Sequence, residues 1–440
     1  MISEKDIQQA IENSKAQFLG TLRQIMQIKS TKSEPAKDSP FGLGSKEALV
    51  AVEKLGEEYG FESKIVNNAM TYIQWGRQDD YFAVVDHLDV VPAGKDIEAW
   101  EYNPWDLSQD GNKLYGRGIL DNKGPAIATL WGMKLLKDLG FQPKNTIRLI
   151  YGSDEESGSH DVPLYLEQEK PPIFGWTADC KYPVVYGERG IVNYTIHTKF
   201  DKEDLVKIKK IIGDMAMDHV PDKITLELNA GLEITAHGKR SPSNAPELGK
   251  NAITQLAKKI VGHEVLSGDV LSYFKWIKDS LADKHFGQGL GIEFSDEDSG
   301  KLIMTPTSLS KDGNELLLDI AIRYPVSYSE EDVTQGIKKH LPTKSKLTIS
   351  RSISSVMHNK NSKYIKMLSD VYSACTKLDS TPVTTTGATY ARVMPNIIAF
   401  GPSFPGQKGI AHKENEWMNI DDLFLNMKIY MMALMKLGNA

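Results

Sequence analysis

The chain has 440 residues, too many for one ordinary core, so two domains are expected. With 40% hydrophobic residues, 25% charged residues and a net charge of −6, its composition is globular, and it gives no support for nucleic acid or an anionic membrane surface as partner. The two cysteines, Cys180 and Cys375, make no disulfide framework and suit a reducing cytoplasm. The polar start, Met1 to Asp6, lacks the apolar core of a signal peptide, and no apolar run reaches the roughly 18 to 20 residues that span a bilayer.

Along the chain, Gln8 to Gln27 reads as a helix with Ile11, Phe18, Leu22 and Ile25 as its apolar stripe. Tyr81 to Val85 reads as a short strand of the buried type. Asn122 is placed to cap a helix with Pro125 near its first turn; Ile127, Trp131, Leu135 and Leu139 give it an apolar face, and Gly140 ends it. Thr146 to Tyr151 is the next strand. Strand, helix, strand at this spacing predicts an α/β domain with a mostly parallel, helix-covered sheet.

The pattern changes near Gly187-Glu188-Arg189-Gly190. Val192, Tyr194 and Ile196 alternate with Asn193, Thr195 and His197, which predicts a half-exposed strand. A helix over Lys202 to Met217, strands at 224–228 and 232–236, and a helix over 246–260 are expected next. Strands at 315–324 and 346–353 flank a helix at 330–340. These describe a second domain of α+β type, within which Gly262 to Gly313 looks like an insertion, polar and loop-rich around Ser295 to Gly300. Asn361 to Cys375 is again helical, Ile397 to Phe400 a buried strand and Ile420 to Leu437 a closing helix. The expected topology is one domain from residues 1–188 and 355–440, interrupted by a second from residues 189–354.

Five separated segments offer metal-type ligands: His87-Leu88-Asp89, Asp121 within Gly116 to Gly124, Glu155-Glu156, Asp179 and His412. Each alone reads as structural: a strand-end pair, a helix cap, a solvated acidic loop. Together they can hold two divalent cations and leave a carboxylate free to handle a proton. Asp89 is placed to orient His87. Gly116 and Gly118 let the backbone approach something closely. Asp121 suits a carboxylate shared between ions about 3.5–4 Å apart.

The blocks Asp86 to Pro92, Gly116 to Pro125, Ser153 to Gly158, the Trp100 to Trp105 segment and His412-Lys413-Glu414-Asn415-Glu416 resemble a family of dinuclear-zinc metallopeptidases. That family includes aminoacylase, carboxypeptidase G and succinyl-diaminopimelate desuccinylase. The resemblance implies a zinc-peptidase α/β domain carrying a lid domain. It implies His87, Asp121, Glu156, Asp179 and His412 as ligands of two zinc ions, with Asp121 bridging and manganese or cobalt as substitutes. It implies Glu155 as general base. Thr386 to Arg392, Ile322 to Pro325 and the long lid are most similar to the dipeptidase V branch, Xaa-His dipeptidase-like. That branch implies a small peptide substrate, with Arg323 and the Gly387 loop holding its carboxylate.

One position departs from the family. Where the lid motif often carries a histidine, this chain has Pro242; His237 is the leading substitute and His219 and His285 are weaker ones. The expectation is a cytoplasmic, monomeric two-metal dipeptidase. The alternatives are an amidohydrolase acting on N-acyl amino acids and a metal-dependent binding protein, the latter disfavoured by the intact Glu155.

Overall fold

The Tyr81–His87 strand is apolar almost throughout because both of its faces are covered: Phe82 and Val84 point into one core, Tyr81, Ala83 and Val85 into another. The computed structural model to which it belongs describes residues 2–94, 97–229, 231–263, 265–407 and 410–440. The chain divides into two units. The first holds residues up to Tyr186 with His358–Val383 and Gly387–Ala440, and the second Gly187–Met357 with Thr384–Thr386.

In the first unit the sheet order is Glu62–Val66, Met70–Trp75, Thr146–Gly152, Tyr81–His87, Phe174–Thr177, Ile397–Phe400 and then the strand beginning at Val184. The four strands from Thr146–Gly152 to Ile397–Phe400 run parallel, and those flanking them are antiparallel. The sheet is therefore mixed, with a parallel centre. Helices Glu4–Met26, Lys123–Asp138 and Ile420–Gly438 pack together beside it, with Phe18, Trp131 and Phe424 in edge and tilted ring contacts. Burying aromatic rings of this size contributes a large share of the hydrophobic stabilisation. Among the described residues, no helix is long and apolar enough to cross a membrane.

The second unit has an antiparallel sheet in the order Ile303–Asp312, Glu315–Tyr324, Gly190–Lys199, Ser345–Ile353. A smaller sheet joins Ile208–Gly213, Lys223–Leu228 and Glu233–His237. Helices Ala252–His263, Gly268–Leu281 and Glu330–Lys338 contribute Leu256, Phe274 and Ile337 to one core with Tyr194 and Ile320.

Several elements differ from the sequence expectations. The helix expected over 202–217 is one turn, Lys202–Leu205, followed by the Ile208–Gly213 strand. Ile208 and Ile211 are three apart, which mimics a helical face; a bulge between Ile208 and Lys210 turns both inward on a strand instead. The expected 246–260 helix is a short turn at Pro246–Leu248 and then Ala252–His263. The stretch read as an insertion contains the Gly268–Leu281 helix and the whole Ile303–Asp312 strand, which is paired along Glu315–Tyr324 as part of the main sheet of this unit. Asn122 precedes its helix but makes no side-chain cap. Its amide instead donates to the Ala178 carbonyl at 2.6 Å and accepts from His87 N at 3.4 Å, tying two strand ends together.

Candidate active site

Three adjacent parallel strands deliver ligand-type groups at one edge of the sheet. His87 ends Tyr81–His87, the Glu155–Ser157 turn follows Thr146–Gly152, and Asp179 follows Phe174–Thr177. This is the carboxyl edge of a parallel sheet, where loops converge without interrupting the ladder. Asp121 arrives just before the Lys123–Asp138 helix. His412 arrives from the segment before Trp417–Asn419, a strand paired with Lys113–Tyr115 and so held beside the Gly116 loop.

The donor atoms meet closely. His87 Nε2 lies 3.1 Å from Asp121 Oδ1 and 3.6 Å from Asp179 Oδ1. His412 Nε2 lies 2.9 Å from Asp121 Oδ2 and 3.0 Å from Glu156 Oε1. One oxygen of Asp121 thus faces each histidine. His87, Asp121 and Glu156 bring one donor atom each within 4.8 Å of one another, as do His87, Glu155 and Asp179. The six residues His87, Asp121, Glu155, Glu156, Asp179 and His412 form one cluster.

Asp89 supports it from behind. Its carboxylate accepts from the backbone N–H of Glu155 at 3.2 Å and of Glu156 at 3.1 Å, which fixes the acidic turn. That carboxylate lies 3.5 Å from His87 Nδ1, while the Asp89 carbonyl lies nearer at 2.9 Å. A ring nitrogen bonded to a carbonyl must carry its hydrogen, which leaves Nε2 free to ligate.

Electrostatics test whether cations fit. Burial raises the carboxyl pKa values of Glu155 and Asp179 well above the ordinary range, with the Asp179 charge adding at Glu155 and the Asp121 charge adding at Asp179. Burial and Asp121 likewise raise that of Glu156. Burial opposes the charged form of His87, but Asp179 and Asp121 outweigh it and raise its pKa. Hydrogen bonds to Asp121 and Glu156 raise that of His412 to about 11. Burial opposes the charged form of Asp121 as well, but hydrogen bonds from His412 and His87 outweigh it and lower its pKa. Carboxylates crowded in this way would be favoured in their charged form by the added positive charge of divalent cations. The donor set, carboxylates with two imidazoles, fits such ions.

Other expected site residues lie elsewhere. Gly387 is in the first unit, its carbonyl accepting from Arg392 Nη2 at 2.5 Å. Arg323 belongs to the second unit, half-buried on Glu315–Tyr324 opposite Ile191 and Ile303. His237 ends the Glu233–His237 strand and is exposed. His219 faces Pro242 across an isolated β-bridge, with Nδ1 2.7 Å from Asp218.

Three residues carry no role in the sequence reading. Asn193 pairs with Ala321, two residues from Arg323, and so shares its face of the sheet; its Oδ1 is buried without a partner among the described residues. The signal was a polar residue in an alternating strand. Tyr390 donates to Asp161 Oδ2, which also accepts from Ser153 N at 2.7 Å and Asp154 N at 3.0 Å, bracing the acidic turn. Glu416 is fully buried at the Gly116 loop.

A model of peptidase family M20/M25/M40 matches residues 83–436. The chain is 28% identical to "Putative dipeptidase YtjP" of Bacillus subtilis, over 96% of this chain and 98% of that one. It is 26% identical to "Putative dipeptidase SH1171" of Staphylococcus haemolyticus, over 97% and 98%. Among solved structures it resembles the dipeptidase Dug1p of Saccharomyces cerevisiae, with a TM-score of 0.63, 15% identity, and 99% and 98% of the two chains covered. It also resembles the aminoacylhistidine dipeptidase of Vibrio alginolyticus, with a TM-score of 0.60, 14% identity and 95% of each chain covered. These likenesses share the fold.

Proposed function

Because this chain belongs to peptidase family M20/M25/M40, and is thereby a metal-dependent hydrolase, we propose that it cleaves the peptide bond of dipeptides at a two-metal centre. The observation that carries this reading is the convergence of five ligand-type residues in one cluster that also holds Glu155 beside His87 and Asp179. His87, Asp121, Glu156, Asp179 and His412 are assigned as ligands, with Asp121 shared. Zinc is the assigned metal, and manganese or cobalt suit the same oxygen and nitrogen donors. When bound, the cations polarise the scissile carbonyl and acidify the attacking water.

The chain's own residues do the rest. Glu155 takes a proton from the water at its carboxylate as the C–O bond forms, and gives it to the amine as the C–N bond breaks. Asp89 holds Glu155 and Glu156 by their backbone N–H groups, so the base keeps its direction. Arg323 and Asn193, neighbours on one sheet face, are assigned to the substrate's carboxylate, a role for which guanidinium and amide donors are suited. The Gly387 loop is assigned to the same carboxylate and His237 to the developing oxyanion. The second unit is assigned as the lid. Relatives named as dipeptidases support the substrate class. Two free cysteines support a reducing compartment, the cytoplasm, and the long lid supports a monomer.

The test loads metal-free protein with zinc or manganese and measures amine release from dipeptides, tripeptides and N-acetyl amino acids. Turnover confined to dipeptides is expected. Turnover only of N-acetyl amino acids replaces this reading with an amidohydrolase, and metal binding without any turnover replaces it with a binding protein.

A further inference from the structure

The Gly116 to Asp121 loop is wound around a carboxylate. Glu416 is fully buried, and its Oε1 accepts from the backbone N–H of Gly118 at 3.1 Å, Leu120 at 2.9 Å and Asp121 at 3.2 Å. Its Oε2 accepts from Arg117 Nη1 at 2.6 Å, which balances the charge locally, and its carbonyl accepts from Gly116 N at 3.2 Å. Gly118 has φ +94°, a conformation open to glycine, and a Cβ there would meet Val90 Cγ1 at 2.9 Å. Glycine at 118 thus meets a left-handed backbone and close packing against Val90 and Lys123, which lets the loop fold with its N–H groups turned to Glu416.

Two further facts give the arrangement a consequence. The last of the three N–H donors is that of Asp121 itself, whose two oxygens face His87 and His412 separately. A small rotation of the Asp121 backbone would misdirect both. Glu416 also lies four residues after His412, so one short segment supplies both a donor and the anchor of another donor. Pairing of Trp417–Asn419 with Lys113–Tyr115 locks that segment to the loop.

We propose that Glu416 is a positioning residue for the metal centre: its buried carboxylate is the template that sets Asp121 between His87 and His412. The inference rests on the reading of Asp121 as a ligand. Groups that orient ligands in this way typically contribute about 10- to 100-fold in metal affinity. A purely structural Glu416 would lower the melting temperature and leave the affinity of the folded protein unchanged.

The experiment titrates zinc into the metal-depleted full chain against a chromogenic chelator, with circular dichroism to confirm folding. Glu416→Ala is expected to weaken zinc binding at least about tenfold. Glu416→Gln keeps an oxygen for the three N–H groups and is expected to recover most of that loss. Phe18→Leu, a core change in the same unit, is expected to lower the melting temperature with affinity held within about threefold. If the unaltered chain binds no zinc, the metal reading fails rather than this one. If that chain binds zinc and folded Glu416→Ala binds equally well, or if Phe18→Leu loses as much, the proposal is overturned. Should Glu416→Ala not fold, Glu416→Asp takes its place, because it keeps the charge near Arg117 but withdraws it from the N–H groups. The same tenfold loss is expected, and unchanged affinity overturns the proposal.

Discussion

In the first unit every residue of the Tyr81–His87 strand is buried, whereas in the second the Gly190–Lys199 strand buries Val192, Tyr194 and Ile196 on one face and, on the other, buries Ile191 and Asn193 but leaves Thr195 and His197 half-exposed. A strand covered on both faces has no room for chemistry along its length, so its ionisable groups collect at its end and in the loops beyond. A strand covered on one face carries polar groups mid-strand, where the ladder itself sets their spacing. Accordingly His87, Glu155, Glu156 and Asp179 lie at or just beyond strand ends, while Arg323 and Asn193 lie within strands. The assignment that follows is chemistry at the first edge and recognition on the second face.

Four experiments break or sharpen that contrast, from the largest expected effect to the smallest. Glu155→Gln, at the strand-end cluster, is expected to lower kcat by about 10²- to 10⁴-fold with zinc still bound; retained turnover with full metal occupancy would remove the base from this site. Arg323→Ala, on the sheet face, is expected to raise KM roughly 10- to 100-fold for dipeptides with little change in kcat. Dipeptide amides, which lack the carboxylate, should show no such difference, and an equal loss for both substrates would detach Arg323 from recognition.

Tyr390→Phe removes the hydroxyl that donates to buried Asp161, the acceptor of Ser153 N and Asp154 N. A cost of about 1–3 kcal/mol is expected, read as a lower melting temperature, because a buried acceptor loses a donor. An unchanged melting temperature would mean that the acidic turn needs no such brace.

The smallest effect lies away from both regions. Hydrogen bonds from Arg23 hold the Asp106 carboxyl at about 2, below its ordinary 3.8. The native state therefore binds this proton more weakly than the unfolded chain. The stabilisation is full above about pH 4 and is lost as pH falls through about 2. Both groups reach solvent, so Arg23→Ala is expected to lower stability only slightly at neutral pH, and progressively less as pH falls through about 2, as denaturant melts across that range would register.

Much of this was legible in the sequence, and the misses have a common cause. The apolar runs at Tyr81 and Thr146 and the helix between them read correctly because two-sided burial and a helical stripe leave strong local patterns. The Ile208–Gly213 strand was misread because a bulge gives it a helix-like spacing. Asn122 looked like a cap by type and place, yet its amide found better partners at two strand ends. Glu416 was visible within its motif but silent, since nothing near it in sequence says that it accepts from Gly118, Leu120 and Asp121, almost three hundred residues earlier.

By itself the sequence determined which residue types were available and in what order: a histidine and several acids after apolar runs, a second histidine near the end of the sequence, glycines flanking Asp121, and alternating strands in the middle of the chain. Side-chain chemistry and local periodicity are properties of short segments, so they can be read without a fold. Only the tertiary structure decided that Asp121 presents one oxygen to His87 and the other to His412, that Asp89 serves the acidic turn through its backbone, and that a buried glutamate shapes the loop. Those are distances between segments far apart in sequence, and they are set by strand order and by the need of every buried polar group for a partner.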